Sequence, residues 1–248
     1  MNLIIDAGNT NIKIGYFENN KIIKIIRFEK EKISTTKLPL IKEKIYSIYI
    51  GSVIPSFNNK IINKLKTTYK VTPKLINNEN FLKHFDLSKF NVNEIGTDIL
   101  GLAMYIKTVY KKACAISFGT ATFSIAVDNK ELHGVMIAPS FSSAFDTLNT
   151  STELTRTNKF EAKTNLYGWF DYGFNTPTAL AAGANHLAKG FVDSLIEFTS
   201  KKYNINKYCV CGGKCKTLTF LKQKKYTKKI AVLEEPILTG YYFLTKDL

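Results

Sequence analysis

Residues 4–15 read I-I-D-A-G-N-T-N-I-K-I-G, and residues 115–126 read A-I-S-F-G-T-A-T-F-S-I-A. Each is an apolar run, a Gly-centred polar turn and a second apolar run. Ile and other β-branched residues favour extended backbone, and Gly, Asn and Thr between such runs mark a tight turn. Each copy also opens the same series of elements. Strands are predicted at Asn2–Asp6, Ile12–Phe17 and Lys21–Phe28, with Glu18-Asn19-Asn20 turning between the last two. The second series is Ala113–Ser117, Thr122–Val127 and Glu131–Ile137, with Asp128-Asn129 as the turn. A repeated strand–turn–strand unit with the same turn chemistry points to two halves of one design, here 1–112 and 113–248.

Working outward, a polar helix is expected at Thr36–Lys44 and a strand at Ile45–Ile50. A helix opens at Pro55 and carries Ile61, Ile62 and Leu65 at helical spacing. Val71–Ile76 reads as an edge strand because it contains Pro73. Further helices are expected at Asp98–Tyr110 and Thr176–Phe198, and a strand at Lys207–Cys211.

The chain has 248 residues, 45% hydrophobic and 22% charged, in the range of an ordinary globular protein. The first apolar run, Leu3–Ile5, is cut by Asp6 with no basic segment before it, unlike a secretory leader. No run approaches the ~18 apolar residues of a membrane helix. These features lead us to expect a cytoplasmic protein with no membrane partner. The net charge of +15 comes almost wholly from lysines scattered along the chain. Arg27 and Arg156 are the two arginines, so the side chain best suited to phosphate forks and base edges is nearly absent, which argues against a nucleic-acid partner. Cys209, Cys211 and Cys215 lie close in sequence but lack the paired spacing or nearby His of a zinc site. They read, with Cys114, as small buried residues.

The turn chemistry suggests a function. A tight turn of Gly and small polar residues leaves backbone N–H groups facing a concavity that suits phosphate oxygens. Gly8, Asn9 and Thr10 form one such turn and Gly119, Thr120, Ala121 and Thr122 the other. Asp6, ending the strand before the first turn, is placed to hold a water on a phosphate-bound magnesium ion. Either segment alone is equally an ordinary hairpin; the duplication favours phosphate binding.

At this point the chain resembles the type III pantothenate kinases. Asp6 to Lys13 resembles that family's D-x-G-N-T-x-x-K, and Gly51-Ser52-Val53-Ile54-Pro55 its S-S-V-V-P. Gly96-Thr97-Asp98 resembles the start of G-x-D-R, and Phe118 to Thr122 resembles D-F-G-T-A-T. Gly134 to Pro139 is similar to a G-G-x-I-x-P-G segment, Asn175-Thr176 to an N-T before a helix, Cys211-Gly212-Gly213 to a T-G-G strand end, and Thr239-Gly240-Tyr241 to a closing G-L. Several positions depart from the pattern: Ile99 for Arg, Ser117 for Asp, Ile95 for Tyr, and Val135 and Ser140 for Gly.

The resemblance implies a two-lobed actin-like (ribonuclease H-like, duplicated) α/β fold with mixed β-sheets and flanking helices. It implies that the two turns clamp the phosphates of ATP across a cleft, with magnesium held through water by Asp6. Lys13 belongs to the nucleotide site, and Gly212 and Gly213 to its adenosine end. Asp98 is implied as general base toward the primary hydroxyl of pantothenate, with Gly96, Thr97 and Thr176 near that substrate. From the residues alone, Asp98 and Thr176 are equally helix N-caps. His186 reads as a packed core or dimer-contact histidine, Gly183 and its alanines as a close helix contact, and a homodimer is expected. The family's potassium or ammonium ion would lose a charged ligand at Ser117, so little dependence on that cation is expected. Two outcomes stay open: an active kinase forming 4'-phosphopantothenate, the first step of coenzyme A biosynthesis, or a silent relative with a regulatory or binding role.

Overall fold

The computed structural model describes residues 1–151, 166 and 168–248. Its contacts divide the chain into two compact units. The first holds Met1–Lys111, Asp128–Leu132 and Glu235–Leu248; the second holds Lys112–Val127 and His133–Glu234. This differs from a division at 112 and 113 in two segments, most consequentially in the last fourteen or so residues.

The first unit carries strands β1 (Asn2–Ala7), β2 (Asn11–Glu18), β3 (Lys21–Glu29), β4 (Ser47–Ser52) and β5 (Lys74–Ile76). They form a mixed sheet in the order β3-β2-β1-β4-β5. The β1–β2 and β2–β3 pairs are antiparallel, and the β1–β4 and β4–β5 pairs are parallel. Asn19 and Asn20, with φ of 47° and 66°, make the left-handed two-residue turn between β2 and β3, which Asn adopts more readily than most residues. Leu3, Ile5, Ile12 and Ile14 alternate onto one face and pack with Ile61 and Leu65 of α1 (Asn58–Tyr69). Helix α2 (Thr97–Val109) is apolar nearly all round and correspondingly buried.

The second unit has β6 (Lys112–Phe118), β7 (Ala121–Asp128), β8 (Glu131–Pro139), β9 (Tyr208–Cys211) and β10 (Ile230–Val232). Its sheet runs β10-β9-β6-β7-β8. Renumbered from its own start, that is the order of the first sheet, so the duplication seen at the two turns extends to the whole sheet. β9 is parallel to both β6 and β10. The described helices that follow are α3 (Phe141–Ser151), α4 (Thr176–Tyr203), the single turn α5 (Lys224–Thr227) and α6 (Pro236–Thr245), the last of which belongs to the first unit. No helix among the described residues is long and apolar enough to cross a membrane.

Two local expectations fail. No helix forms over Thr36–Lys44: a 3-10 turn at Lys30–Ile33 is followed by irregular chain. Pro39 lies in the middle of that stretch and breaks a helix there, and Leu38 and Ile41 pack on the core from irregular chain instead. The strand expected at Val71–Ile76 shrinks to Lys74–Ile76, beginning after Pro73. A proline lacks the ladder donor.

Candidate active site

Asp6 is the buried end of β1, and its cross-strand neighbours decide its surroundings. On β2 its partner is Lys13, on β4 it is Gly51, and Lys13 in turn faces Arg27 on β3. One row across the sheet therefore reads Gly51, Asp6, Lys13, Arg27. Two cations side by side repel. Glu235, immediately before α6, relieves this: its Oε2 lies 2.8 Å from Lys13 Nζ, and its Oε1 meets Arg27 Nη2. Lys13 Nζ lies 3.5 Å from Asp6 Oδ2. Burial alone would lower the Lys13 pKa, but the carboxylates of Asp6 and Glu235 outweigh it and hold the ammonium above its ordinary value. For Asp6, burial dominates over the attraction of Lys13 and raises the carboxyl above its usual range.

Asp98 sits in the first turn of α2. The N-cap is Gly96, which makes no side-chain cap. The reading of Asp98 as an N-cap is thereby corrected: its Oδ1 accepts from the Ile99 N–H at 2.9 Å. Gly96 is needed for this fold-back, because a Cβ there would lie 2.4 Å from Asp98 Oδ1. Thr97 Oγ1 donates to the Ser52 carbonyl at 3.1 Å, tying the helix start to the end of β4. Burial, then the nearby Asp6 charge, push the Asp98 carboxyl up to about 6. The first unit thus brings Asp6, Lys13, Gly96, Thr97 and Asp98 together at one end of its sheet. Ile99, standing for an arginine, is buried in the helix.

The turn after β1 is closed by the Gly8 N–H donating to the Asn11 carbonyl at 3.0 Å, with Asn9 and Thr10 exposed at its tip. In the second unit the Gly119 N–H donates to the Ala121 carbonyl at 3.1 Å, and Thr122 is buried as β7 begins. Gly212 and Gly213 lie against this turn. Gly212 has φ of 96°, and a Cβ on it would lie 2.4 Å from the Phe118 carbonyl oxygen, so only glycine fits. Gly213 faces open space. Lys214 follows; its N–H donates to the Phe118 carbonyl at 3.1 Å and its ammonium to Ser142 Oγ. Ser143 Oγ donates to the Thr120 carbonyl at 2.9 Å. Ser117, at the end of β6, is buried.

Thr176 begins α4, but the cap is Asn175, in a reciprocal capping box with Thr178. Thr176 and Asn175 line a groove of about 540 Å³ in the second unit, with Leu148, Phe174, Gly183 and Leu187. His186 is exposed, not in the core; its Nε2 lies 2.9 Å from the Phe170 carbonyl. Gly183 has nothing within 4 Å of a Cβ position among the described residues, so it makes no close helix contact with them. The four cysteines are buried and form no disulfide, and no metal-holding cluster of His, Cys, Asp or Glu occurs among the described residues.

Glu235, Ser143 and Lys214 were not picked out from the sequence, and Arg27 and Tyr241 were named there without a site role. Glu235 carried one local signal, its place before Pro236, where a helix begins.

Comparison with known proteins follows this geometry. Solved structures of similar fold include a Campylobacter jejuni protein described as a Baf family transcriptional activator, with a TM-score of 0.63 and 16% identity over 99% of this chain and 98% of that one. Another is a ROK family glucokinase from Streptomyces griseus, with a TM-score of 0.51 and 11% identity over 99% and 100% of the two chains. The fold is that of the actin-like sugar kinases. Relatives named type III pantothenate kinase include those of Dictyoglomus turgidum, 29% identical over 98% of each chain, and Malacoplasma penetrans, 28% identical over 98% of this chain and 96% of that one. The family model for type III pantothenate kinase matches residues 2–198, and the chain belongs to that family.

Proposed function

We propose that the protein transfers the γ-phosphoryl group of ATP to the primary hydroxyl of pantothenate, giving 4'-phosphopantothenate and ADP. The family match over residues 2–198 supports the reaction, and the observation that carries the mechanism is the Asp98 carboxyl, fixed by the Ile99 N–H beside Asp6. Asp98 accepts the hydroxyl proton as that oxygen attacks phosphorus, and the bond from phosphorus to the β-phosphate oxygen breaks. The turns Gly8–Thr10 and Gly119–Thr122 bind phosphate oxygens, and Gly212 and Gly213 approach the adenosine. Lys13 adds a cation held at Asp6 by Glu235. Thr176 contacts pantothenate.

Asp6 and Asp98 are two buried carboxyls, each raised first by burial, Asp98 also by the charge of Asp6, and such a pair suits magnesium bound through water. When bound, magnesium neutralises phosphate charge. The monovalent cation fits less well. Ser117 offers a neutral oxygen where a carboxylate would stand, and affinity for hard cations falls as ligand charge is lost. Activity is therefore expected to vary little between potassium, ammonium and a bulky inert cation, and Ser117→Asp to increase that dependence. Strong potassium activation of the unaltered protein would contradict this. With the reading go a cytoplasmic location and a homodimer, for which the exposed Tyr172, Phe174 and Leu187 near Gly183 supply an apolar face.

The test is ADP release with pantothenate present and absent, alongside other small alcohols. Pantothenate-dependent release supports the assignment. ATP binding without release to any acceptor favours the silent, regulatory relative.

A further inference from the structure

The C-terminal helix α6 brings a phenol to the two carboxylates. Tyr241 is fully buried, and its hydroxyl has no hydrogen-bond partner among the protein's described groups. Its ring passes over two glycines. A Cβ on Gly51 would lie 2.1 Å from Tyr241 Cζ and 2.5 Å from its hydroxyl oxygen, and one on Gly101 would lie 2.7 Å from its Cε1. Gly51 is the cross-strand partner of Asp6, so the hydroxyl end of the ring lies where β1 delivers that carboxylate. Thr97 Oγ1 is also near and, while donating to the Ser52 carbonyl, keeps the capacity to accept, but the phenol makes no hydrogen bond to it.

Burial, then the fields of Asp6 and Asp98, hold the phenol pKa well above its ordinary value, so the group is a neutral donor. A buried donor without a partner is costly. Phenylalanine would fill the same space with no such cost, so packing alone does not account for tyrosine. Gly51 opens the space that the phenol fills. An orphan donor facing carboxylates is the setting in which buried water is held, since water needs several polar partners.

We propose that Tyr241 is a positioning residue of the phosphoryl-transfer site, its hydroxyl donating to an ordered water that Asp6 and Asp98 hold in common. The water fixes the free oxygen of Asp98 while Oδ1 is held by the Ile99 N–H. The kinetic part of this inference rests on the kinase reading above; the water site does not.

Tyr241→Phe removes the hydroxyl and keeps the ring. It is expected to lower kcat about tenfold, to leave KM for ATP within about twofold, and to leave Tm unchanged or raised. A crystal structure of the unaltered protein should show a water within hydrogen-bond distance of Tyr241 Oη and a carboxylate oxygen, and that of the variant should lack it. A variant with wild-type kcat overturns the positioning role. A structure in which Tyr241 Oη donates to Thr97 Oγ1 with no water present overturns the site itself. If the unaltered protein does not phosphorylate pantothenate, the kinase reading fails, and the crystal structures still decide whether the water is there.

Discussion

Asp98 carries the sharpest consequences at the scale of single residues. Because Gly96 and not Asp98 caps α2, Asp98→Asn removes a base without removing a cap. It is expected to lower kcat by about 10²–10⁴-fold with little change in KM for ATP and no loss of Tm. A variant with near-normal kcat and reduced Tm would mean that the carboxylate serves the helix. The raised pKa adds two dependences on pH. The base works ionised, so kcat/KM for pantothenate should fall as pH drops below about 6. The effect on stability has the opposite sign. The folded carboxyl binds its proton more tightly than the unfolded one, so this group's contribution is full below the ordinary value near 3.8 and is lost as pH rises through about 6. Urea titrations of the unaltered protein and Asp98→Asn across that window should differ in slope; parallel curves would contradict the assigned shift.

Glu235 belongs to the same scale. It is mostly buried, holds a φ of 45°, and bridges Lys13 and Arg27, which face each other across β2 and β3. Glu235→Ala should leave that pair of cations opposed and cost about 1–3 kcal/mol, below the loss for a fully buried pair because Arg27 is partly exposed. Chemical denaturation reads this, and an unchanged midpoint would show the bridge to be idle.

At the scale of elements, the seam between α2 and α6 is set by glycine. A Cβ on Gly240 would lie 1.8 Å from the Gly101 carbonyl oxygen. Gly240→Ala must therefore push the helices apart and is expected to destabilise by about 1–3 kcal/mol or more, measured by denaturation. It should also lower activity, because α6 carries Glu235 and Tyr241 toward the β1 end. An alanine variant as stable as the parent would show that the seam yields easily. Which parts of this were legible depends on sequence separation. The turns at Gly8 and Gly119 could be read locally because glycine and small polar residues between apolar runs fix a hairpin within a few positions. The row Asp6–Lys13 was legible for the same reason, being one hairpin. Arg27 and Glu235 lie 208 positions apart, and nothing local in either residue marks the other as its partner. Tyr241 was hidden differently, since an aromatic residue in an apolar helix reads as core until Gly51 and the carboxylates are seen beside its hydroxyl. The expected helix at Thr36–Lys44 failed because Pro39 breaks it, a local signal that the polar reading passed over.

At the scale of the whole molecule, one sheet order occurs twice in the chain, yet the two copies are chemically unequal. The first unit has Asp6, Lys13 and Asp98 beside its turn; the second has Ser117, Gly212, Gly213 and Lys214. This asymmetry fits the reaction proposed above, with the base Asp98 and the carboxylates that would hold magnesium in the first unit and a phosphate-binding turn in each. The central claim is that reaction. Its most direct measurement is the identity of the product, by phosphorus NMR and mass spectrometry, after incubating the protein with magnesium, ATP and pantothenate. The account predicts 4'-phosphopantothenate and ADP in equal amounts, with both nearly lost in Asp98→Asn. ADP formed without phosphopantothenate, or equal product from the variant, would contradict it.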